Sequence, residues 1–156
     1  MAANVGFLDS YLPYLLRRAD QSLSSMFYET LARYGIARSE WRVLAVLAEQ
    51  DNIGVLELAN AALSPQPTVT HALRRLETRG LVTRTHGAHD RRQRIISMTS
   101  AGRKLTTTLI AEAQRLEALQ LEPAGDLTNL ISQLRDLTAQ IDAHHTTVDR
   151  TAHAAG

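Results

Sequence analysis

The chain has 156 residues, 44% of them hydrophobic, and a net charge of +1 at pH 7, which suits one globular domain with a buried core. It contains no cysteine, so disulfides, thiol nucleophiles and thiolate metal ligands are excluded. No apolar run approaches the roughly 18 residues of a membrane-spanning helix and no signal-peptide pattern begins the chain, so we expect a cytoplasmic protein with no membrane partner.

The N-terminal part of the chain is predicted to be helical. Apolar residues spaced three and four apart indicate an amphipathic helix over residues 7–34, with Pro13 in its first turn and Gly35 at its end. Ser39 belongs to a residue type that caps helices, and it precedes a second predicted helix over residues 40–50.

The next segment is predicted to hold two helices joined by a tight polar turn. A turn at 51–54 leads into a short helix over residues 55–63. The sequence SPQP at 64–67 ends that helix and begins another, because proline fits a first helical turn. Gly80 stops this further helix.

Beyond this helix the hydrophobic period changes from helical to alternating. The β-branched runs 81–85 and 94–98 flank a polar loop with a glycine, which predicts a hairpin. Thr99 or Ser100 then caps a helix that ends near EPAG at 122–125. The predicted fold is therefore mainly α with a small two- or three-stranded β-wing.

The C-terminal segment continues the helical pattern. Leucine and isoleucine recur at alternating spacings of three and four over 127–141, which is typical of a short heptad seam. Residues 148–156 are small and polar, and we expect them to form a flexible tail.

Charge is distributed unevenly along the chain. Residues 64–104 contain nine basic side chains and only two acidic ones, whereas the remainder has more acidic than basic residues. This segregation favours one basic face that binds a polyanion. The alternative is a set of basic residues scattered over a solvated surface.

The two middle helices and the hairpin together predict a winged helix-turn-helix. In that arrangement the second helix of the pair enters the major groove of DNA. The alternative is a solvated amphipathic helix with no DNA partner. Polar side chains lie off the apolar stripe of this helix and are candidates for contacts with bases and phosphates: Gln66, Thr68, Thr70, His71, Arg74 and Arg75.

The segment LELANAALSPQPTVTHALRRLETRGLVTRTHGAHDRRQRIISMTSAGRKL resembles the DNA-binding core of the MarR family of bacterial transcription regulators. Its most specific features are the run Gly80-Leu81-Val82 after the helix, the Asp90-Arg91-Arg92 tip of the wing, and Thr99 followed by Gly102. Two prolines at the start of the recognition helix depart from the family pattern and put its first-turn phosphate anchoring in doubt.

The wing is expected to contact DNA beside the recognition helix. Arg92 is the first choice for insertion into a minor groove, whose narrow A·T-rich form attracts arginine. Asp90 at the tip is expected to orient a neighbouring arginine, because an acidic group that faced phosphate would be repelled. The candidate contacts in the wing are Arg84, Asp90, Arg91, Arg92 and Arg94.

The resemblance implies a homodimer that binds a pseudo-palindrome. The DNA-binding region would span 36–100, and the dimerisation region would combine 1–35 with 101–147. Apolar stripes on these outer helices independently favour an interface, with an intramolecular helical bundle as the alternative. The predicted interface residues are Leu12, Leu15, Leu16, Leu116, Leu130, Leu134, Leu137 and Ile141.

The family's usual mechanism also implies a small-molecule effector that releases the DNA from a crevice between the dimer helices and the winged lobe. The alternatives are a helical dimeric interaction protein or an activator with no ligand response. Candidate lining residues for the effector crevice are Tyr11, Tyr14, Arg18, Tyr28, Arg38, Trp41 and Arg42.

Enzymatic function is not expected. The sequence has no glycine-rich phosphate loop, no nucleophile elbow and no carboxylate pair with an obvious base. Its neighbouring histidines lack the i, i+4 spacing that places two imidazoles on one helical face. We therefore expect no catalytic residues, no metal site and no cofactor.

Overall fold

The structure is a computed structural model that describes residues 6–86 and 94–154, with side chains as far as His145. Helices dominate this part of the chain. None of the described helices is both long and apolar enough to cross a membrane. The helices are α1 (Phe7–Ser10), α2 (Leu12–Arg33), α3 (Arg38–Glu49), α4 (Val55–Ala61), α5 (Gln66–Thr78), α6 (Ser100–Leu121) and α7 (Thr128–Ala154), with a 3₁₀ turn (Glu122–Ala124) after α6.

The predicted N-terminal helix is interrupted near its start. Tyr11 adopts an extended conformation, with φ −83° and ψ 102°, between α1 and α2. Pro13 lies in the first turn of α2, where it has no N–H to donate to the carbonyl of residue 9 and its ring would clash with that carbonyl in a continuous helix. The prediction of one uninterrupted helix over 7–34 is therefore wrong at this position.

The second helix begins two residues earlier than predicted and has a different cap. Ala37 precedes α3, and its N–H donates to Oε2 of Glu40 at 2.7 Å. A carboxylate in the first turn also interacts favourably with the positive end of the helix. Glu40, not Ser39, therefore satisfies the exposed backbone at this end.

Three short strands form an antiparallel sheet in the order β1-β3-β2. β1 lies where the sequence predicts only a turn, and it places Ile53 opposite Ile96. β2 and β3 pair with Val82 opposite Met98, which confirms the predicted hairpin. The strands are β1 (Ile53–Gly54), β2 (Val82–His86) and β3 (Arg94–Met98).

The apolar core lies between α3, α4, α5 and the sheet. Its side chains come from the apolar stripes of the predicted helices and from the inward positions of the strands, so local periodicity and burial agree. The fully buried members with large side chains include Val43, Leu44, Leu47, Ile53, Leu58, Val69, Leu73, Leu76 and Ile96.

The start of α6 is fixed against the end of α5. The hydroxyl of Thr99 accepts the N–H of Gly102 at 3.0 Å and donates to the carbonyl of Gly80 at 2.7 Å. Thr99 is therefore the cap, of the two candidates that the sequence offers.

The chain divides into two compact units, Met1–Leu119 and Gln120–Gly156. At the start of the second unit, hydrogen bonds from the hydroxyl and the N–H of Thr128 hold the pKa of Asp126 below its ordinary value. Helix α7 then follows, and its backbone is helical through residues 148–154, where the sequence predicts a flexible tail.

Candidate nucleic-acid interface

The exposed face of α5 brings together most of the polar residues predicted to contact DNA. Gln66, Thr70, His71 and Arg74 line one depression of about 460 Å³, and Thr68 is also exposed on this helix. An amide in this position can pair with adenine and a guanidinium with guanine. The first half of α5 therefore presents groups suited to reading base edges.

The N-terminus of α5 offers fewer backbone donors than most helices do. Pro65 is the N-cap residue, and Pro67 lies in the first turn. Proline has no N–H, so part of the usual anion-binding capacity of a helix N-terminus is absent. A phosphate bound at this end would therefore depend mainly on side chains.

A crevice of about 590 Å³ separates the first half of α5 from the sheet. Gln66 and Thr70 line it from the helix, and Arg84 and Arg94 line it from β2 and β3. Because Gln66 and Thr70 also line the depression on α5, the helix and the strands border one continuous surface, to which Leu56 and Glu57 of α4 also contribute. We call this surface the α5–wing face.

The two arginines of the strands differ in their surroundings. The side chain of Arg84 is only 20% exposed, and its Nε lies 3.2 Å from Oε2 of Glu77 on α5. Arg94 is exposed, with Nη1 3.4 Å from Nε2 of His86. Arg84 therefore links β2 to α5, whereas Arg94 is open to a partner. The predicted wing residues Asp90, Arg91 and Arg92 lie outside the described residues.

Arg75, predicted from sequence to contact DNA, forms an ion pair within the protein. Its Nε lies 2.7 Å from Oε1 of Glu40, whose side chain is completely buried. The sequence did not point to Glu40 as a site residue. Ala37 has no side-chain acceptor, so the segment does not match a capping box, and nothing local indicated the distant arginine.

The predicted effector residues do not converge on a single pocket. The guanidinium of Arg38 stacks over the ring of Tyr28, 3.8 Å from its centroid, and both line a cavity of about 380 Å³ between α2 and α3. Trp41 instead packs edge-on against Phe27, with 4.9 Å between ring centroids. Arg42 reaches Ser64, at 3.5 Å.

The other three predicted effector residues lie near the start of α2. Tyr11, Tyr14 and Arg18 are exposed there. Tyr14 and Tyr28 are roughly 21 Å apart along the helix, from a rise of about 1.5 Å per residue. One protomer therefore does not bring this group to the Tyr28–Arg38 cavity.

The outer helices expose apolar side chains. On α2, Leu12, Leu15 and Leu16 are exposed, as the predicted interface requires. On α7, Leu130 and Ile141 are exposed, and Leu134 and Leu137 are half-buried. Leu116, which was also predicted to lie at the interface, is buried in the core of its own chain.

Comparison with known proteins identifies the family. The sequence pattern of the MarR family matches residues 36–93. The HTH-type transcriptional regulator FarR of Neisseria gonorrhoeae is 33% identical over 127 residues, which cover 81% of this chain and 85% of that protein. The chain belongs to the MarR family. The homoprotocatechuate degradative operon repressor of Escherichia coli is 32% identical, over 78% of this chain and 86% of that protein.

Solved structures of MarR-family proteins share the fold. The crystal structure of NadR in complex with 4-hydroxyphenylacetate has a TM-score of 0.73 and 29% identity, and covers 85% of this chain and 92% of that one. These similarities confirm the predicted winged-helix fold. They also confirm that the protein is a transcriptional regulator and not an enzyme.

Proposed function

We propose that this MarR-family protein is a homodimeric repressor that binds a pseudo-palindromic operator and releases it on binding a small-molecule effector. The observation that carries the proposal is the α5–wing face, in which Gln66 and Thr70 of α5 lie across a single crevice from Arg94 of β3. A helix of this kind reads bases in the major groove while the wing contacts the adjacent backbone.

Roles within this face follow from chemistry. Gln66 and Arg74 are the proposed base-reading residues, since their side chains match the edges of adenine and guanine. Arg94, with Arg91 and Arg92 of the wing tip, is proposed to neutralise phosphates or enter the minor groove. Thr68, Thr70 and His71 supply further polar contacts, and Asp90 is proposed to orient a neighbouring arginine.

Dimerisation is supported by the exposed apolar residues of α2 and α7. Apolar patches of this kind are uncommon on monomers and mark interaction surfaces. In the proposed division, 36–100 binds DNA, while 1–35 and 101–147 form the dimer. Two recognition helices related by twofold symmetry would then read half-sites about 10 base pairs apart.

A small aromatic carboxylate is the proposed class of effector. The cavity beside Tyr28 and Arg38, about 380 Å³, is within the range of roughly 300–1,000 Å³ for small-molecule sites. Arg38, which stacks on the ring of Tyr28, offers a cation to an anionic group, and Glu29, which also lines the cavity, can accept a hydrogen bond from a hydroxyl group. The structural relative NadR binds 4-hydroxyphenylacetate.

The decisive experiment selects DNA fragments bound by the protein from the source genome and measures affinity across a salt series. We expect a pseudo-palindromic site, and log Kd that rises linearly with log salt. Adding 4-hydroxyphenylacetate should weaken binding, and Arg38→Ala should reduce that response. Affinity for genomic fragments at ~50 mM salt no better than that of an acidic control protein would exclude DNA binding.

A further inference from the structure

Arg75 on α5 and Arg79, the residue that follows α5, reach the same segment of the chain. Nε of Arg75 lies 2.7 Å from Oε1 of Glu40. Nη1 of Arg79 donates to the carbonyl of Gly35 at 2.7 Å, and its Nη2 donates to the carbonyl of Tyr34 at 3.1 Å. This segment is the junction where α2 ends and α3 begins.

Glu40 is held on both sides of its carboxylate. One oxygen accepts from Arg75 and the other accepts the N–H of Ala37 at 2.7 Å. The side chain is completely buried, and a buried carboxylate is strongly unfavourable once its partner is removed. Arg75 is therefore held to Glu40, even though its own side chain is 55% exposed.

Arg79 makes the corresponding contact at the end of α2. The carbonyls of Tyr34 and Gly35 follow the last residue of α2, and Gly35, with φ of +64°, turns the chain away from α2. A guanidinium with several donors in one plane can satisfy two such carbonyls together. The C-terminal end of α5 is thus attached, through Arg79, to the two residues that follow α2, and Arg75 attaches α5 to the first turn of α3.

We infer that Glu40, Arg75 and Arg79 form a clasp that fixes the orientation of α5 relative to α2, and that they are positioning residues for operator binding. The inference depends on the proposed function, in which α5 reads DNA and α2 forms part of the dimer. Because α2 would carry the dimer contacts, the clasp would set the separation of the two recognition helices and hence the half-site spacing that the dimer accepts.

The Glu40→Gln variant distinguishes this role from a direct phosphate contact, because the two roles predict opposite signs. Glutamine still offers an oxygen to the N–H of Ala37 but removes one negative charge. If Arg75 neutralised a phosphate, the loss of that charge would strengthen binding to all DNA. If Arg75 positions α5 through Glu40, operator binding should weaken.

The experiment measures Kd for the selected operator and for a random duplex of equal length, over a salt series. E40Q, R75Q and the double variant are compared with wild type, with Arg17→Gln on the exposed surface of α2 as the control for lost charge. We expect each single change to weaken operator binding about tenfold, the size of one lost base contact. Random-duplex affinity and the salt slope should change little.

The double variant and altered operators complete the test. The double variant should bind the operator no more weakly than either single variant, because both changes remove the same link. Clasp variants should also discriminate less than wild type against operators whose half-sites are one base pair further apart. R79Q leaves the Glu40–Arg75 pair intact and should show the same loss of discrimination against the wider half-site spacing. This variant keeps the test valid if E40Q does not fold.

Two results would overturn the clasp. In one, E40Q binds as tightly as wild type or more tightly, while R75Q weakens all DNA and lowers the salt slope by about one unit, as a lost phosphate contact does. In the other, R79Q retains the wild-type preference for half-site spacing. Failure of the wild-type protein to bind any DNA would instead refute the proposed function, and this is recognisable before any variant is compared.

Discussion

Gly102 shows how a single residue permits the close approach of α6 to the winged lobe. A Cβ built at this position would overlap the carbonyl oxygen of Leu81 and lie 2.8 Å from Cγ of Met98. That carbonyl also accepts the N–H of Thr99 at 3.1 Å. It therefore has little freedom to move aside, and the position requires glycine for space.

Gly102→Ala should lower the stability of the protein. In an ordinary helix alanine is favoured over glycine by about 1 kcal/mol, but overpacking against fixed backbone costs about 1–3 kcal/mol. The overlap should prevail, so we expect a lower free energy of unfolding in urea denaturation. Gly54→Ala is the matched control, because no atom lies within 4 Å of its added Cβ. Wild-type stability of G102A would show that α6 does not approach Leu81 this closely.

Local signals were predictable from sequence at this scale, and distant pairings were not. Thr99 and Gly102 lie within one helical turn, so a capping residue and a small residue were visible in the motif itself. Glu40 and Arg75 are far apart along the chain, and their ion pair depends on how α3 packs against α5. No periodicity or spacing rule contains that information.

Among the elements, the loop after α3 connects the lobe to both β3 and α6. Asp51 accepts the N–H of Met98 at 2.9 Å and Nη1 of Arg103 at 2.7 Å. The neighbouring Asn52 accepts the hydroxyl of Ser97 at 2.7 Å. Burial raises the pKa of Asp51, but the hydrogen bonds from Met98 and Arg103 outweigh it, and the pKa lies below its ordinary value of 3.8.

This lowered pKa gives the loop an acid-sensitive contribution to stability. Since the folded-state pKa is below the unfolded value, the stabilisation is fully present above pH 3.8 and is lost as the pH falls through the folded pKa. We therefore expect Asp51→Asn to be less stable than wild type at neutral pH.

The stability difference should shrink below about pH 4, where protonation of the wild-type carboxyl removes its advantage. Urea denaturation of both proteins over a pH series measures it. In an Arg103→Gln background the same comparison should show a smaller pH dependence, because one of the hydrogen bonds that lowers the pKa is gone. A difference that stays constant down to the lowest pH would contradict this role for Asp51.

Elements with a sustained pattern were predicted well, and short or interrupted ones were not. The buried stripe of α5, which includes Val69, Leu73 and Leu76, predicted this helix from the sequence alone. β1 has only two residues, too few for an alternating pattern, and it exists because it pairs with β3. Predicting the break at Tyr11 would have required giving Pro13 more weight than the strong helical pattern around it.

At the scale of the whole molecule, the proposed DNA-binding face collects several of its predicted residues, whereas the predicted effector residues are dispersed. Arg84 and Arg94 of the strands line one crevice and Arg74 of α5 lies beside it, whereas Arg75 is paired with Glu40. The aromatic and basic effector candidates were predicted to share the crevice that the family resemblance implies, but the length of α2 separates them. Tyr28 and Arg38 meet because the start of α3 returns to the side of α2, a relation that linear spacing does not contain.

The proposed dimer can be tested through an apolar residue that one protomer leaves exposed. Leu16 on α2 is 40% exposed, so Leu16→Asp should leave the fold of the protomer intact, which far-UV circular dichroism checks. If α2 forms part of the interface, burying the new carboxylate without a partner is strongly unfavourable. We expect L16D to be monomeric by light scattering and to bind the operator much more weakly than wild type.

Gln21→Asp is the matched control for this prediction. It introduces the same charge on the same helix. At 100° per residue, Gln21 lies about 140° around the helix from Leu16 and therefore on a different face. We expect Q21D to remain dimeric and to bind the operator. A folded L16D protein that stays dimeric would remove Leu16 from the interface, and a folded monomer that retains full operator affinity would show that α5 reads its site without a symmetric partner.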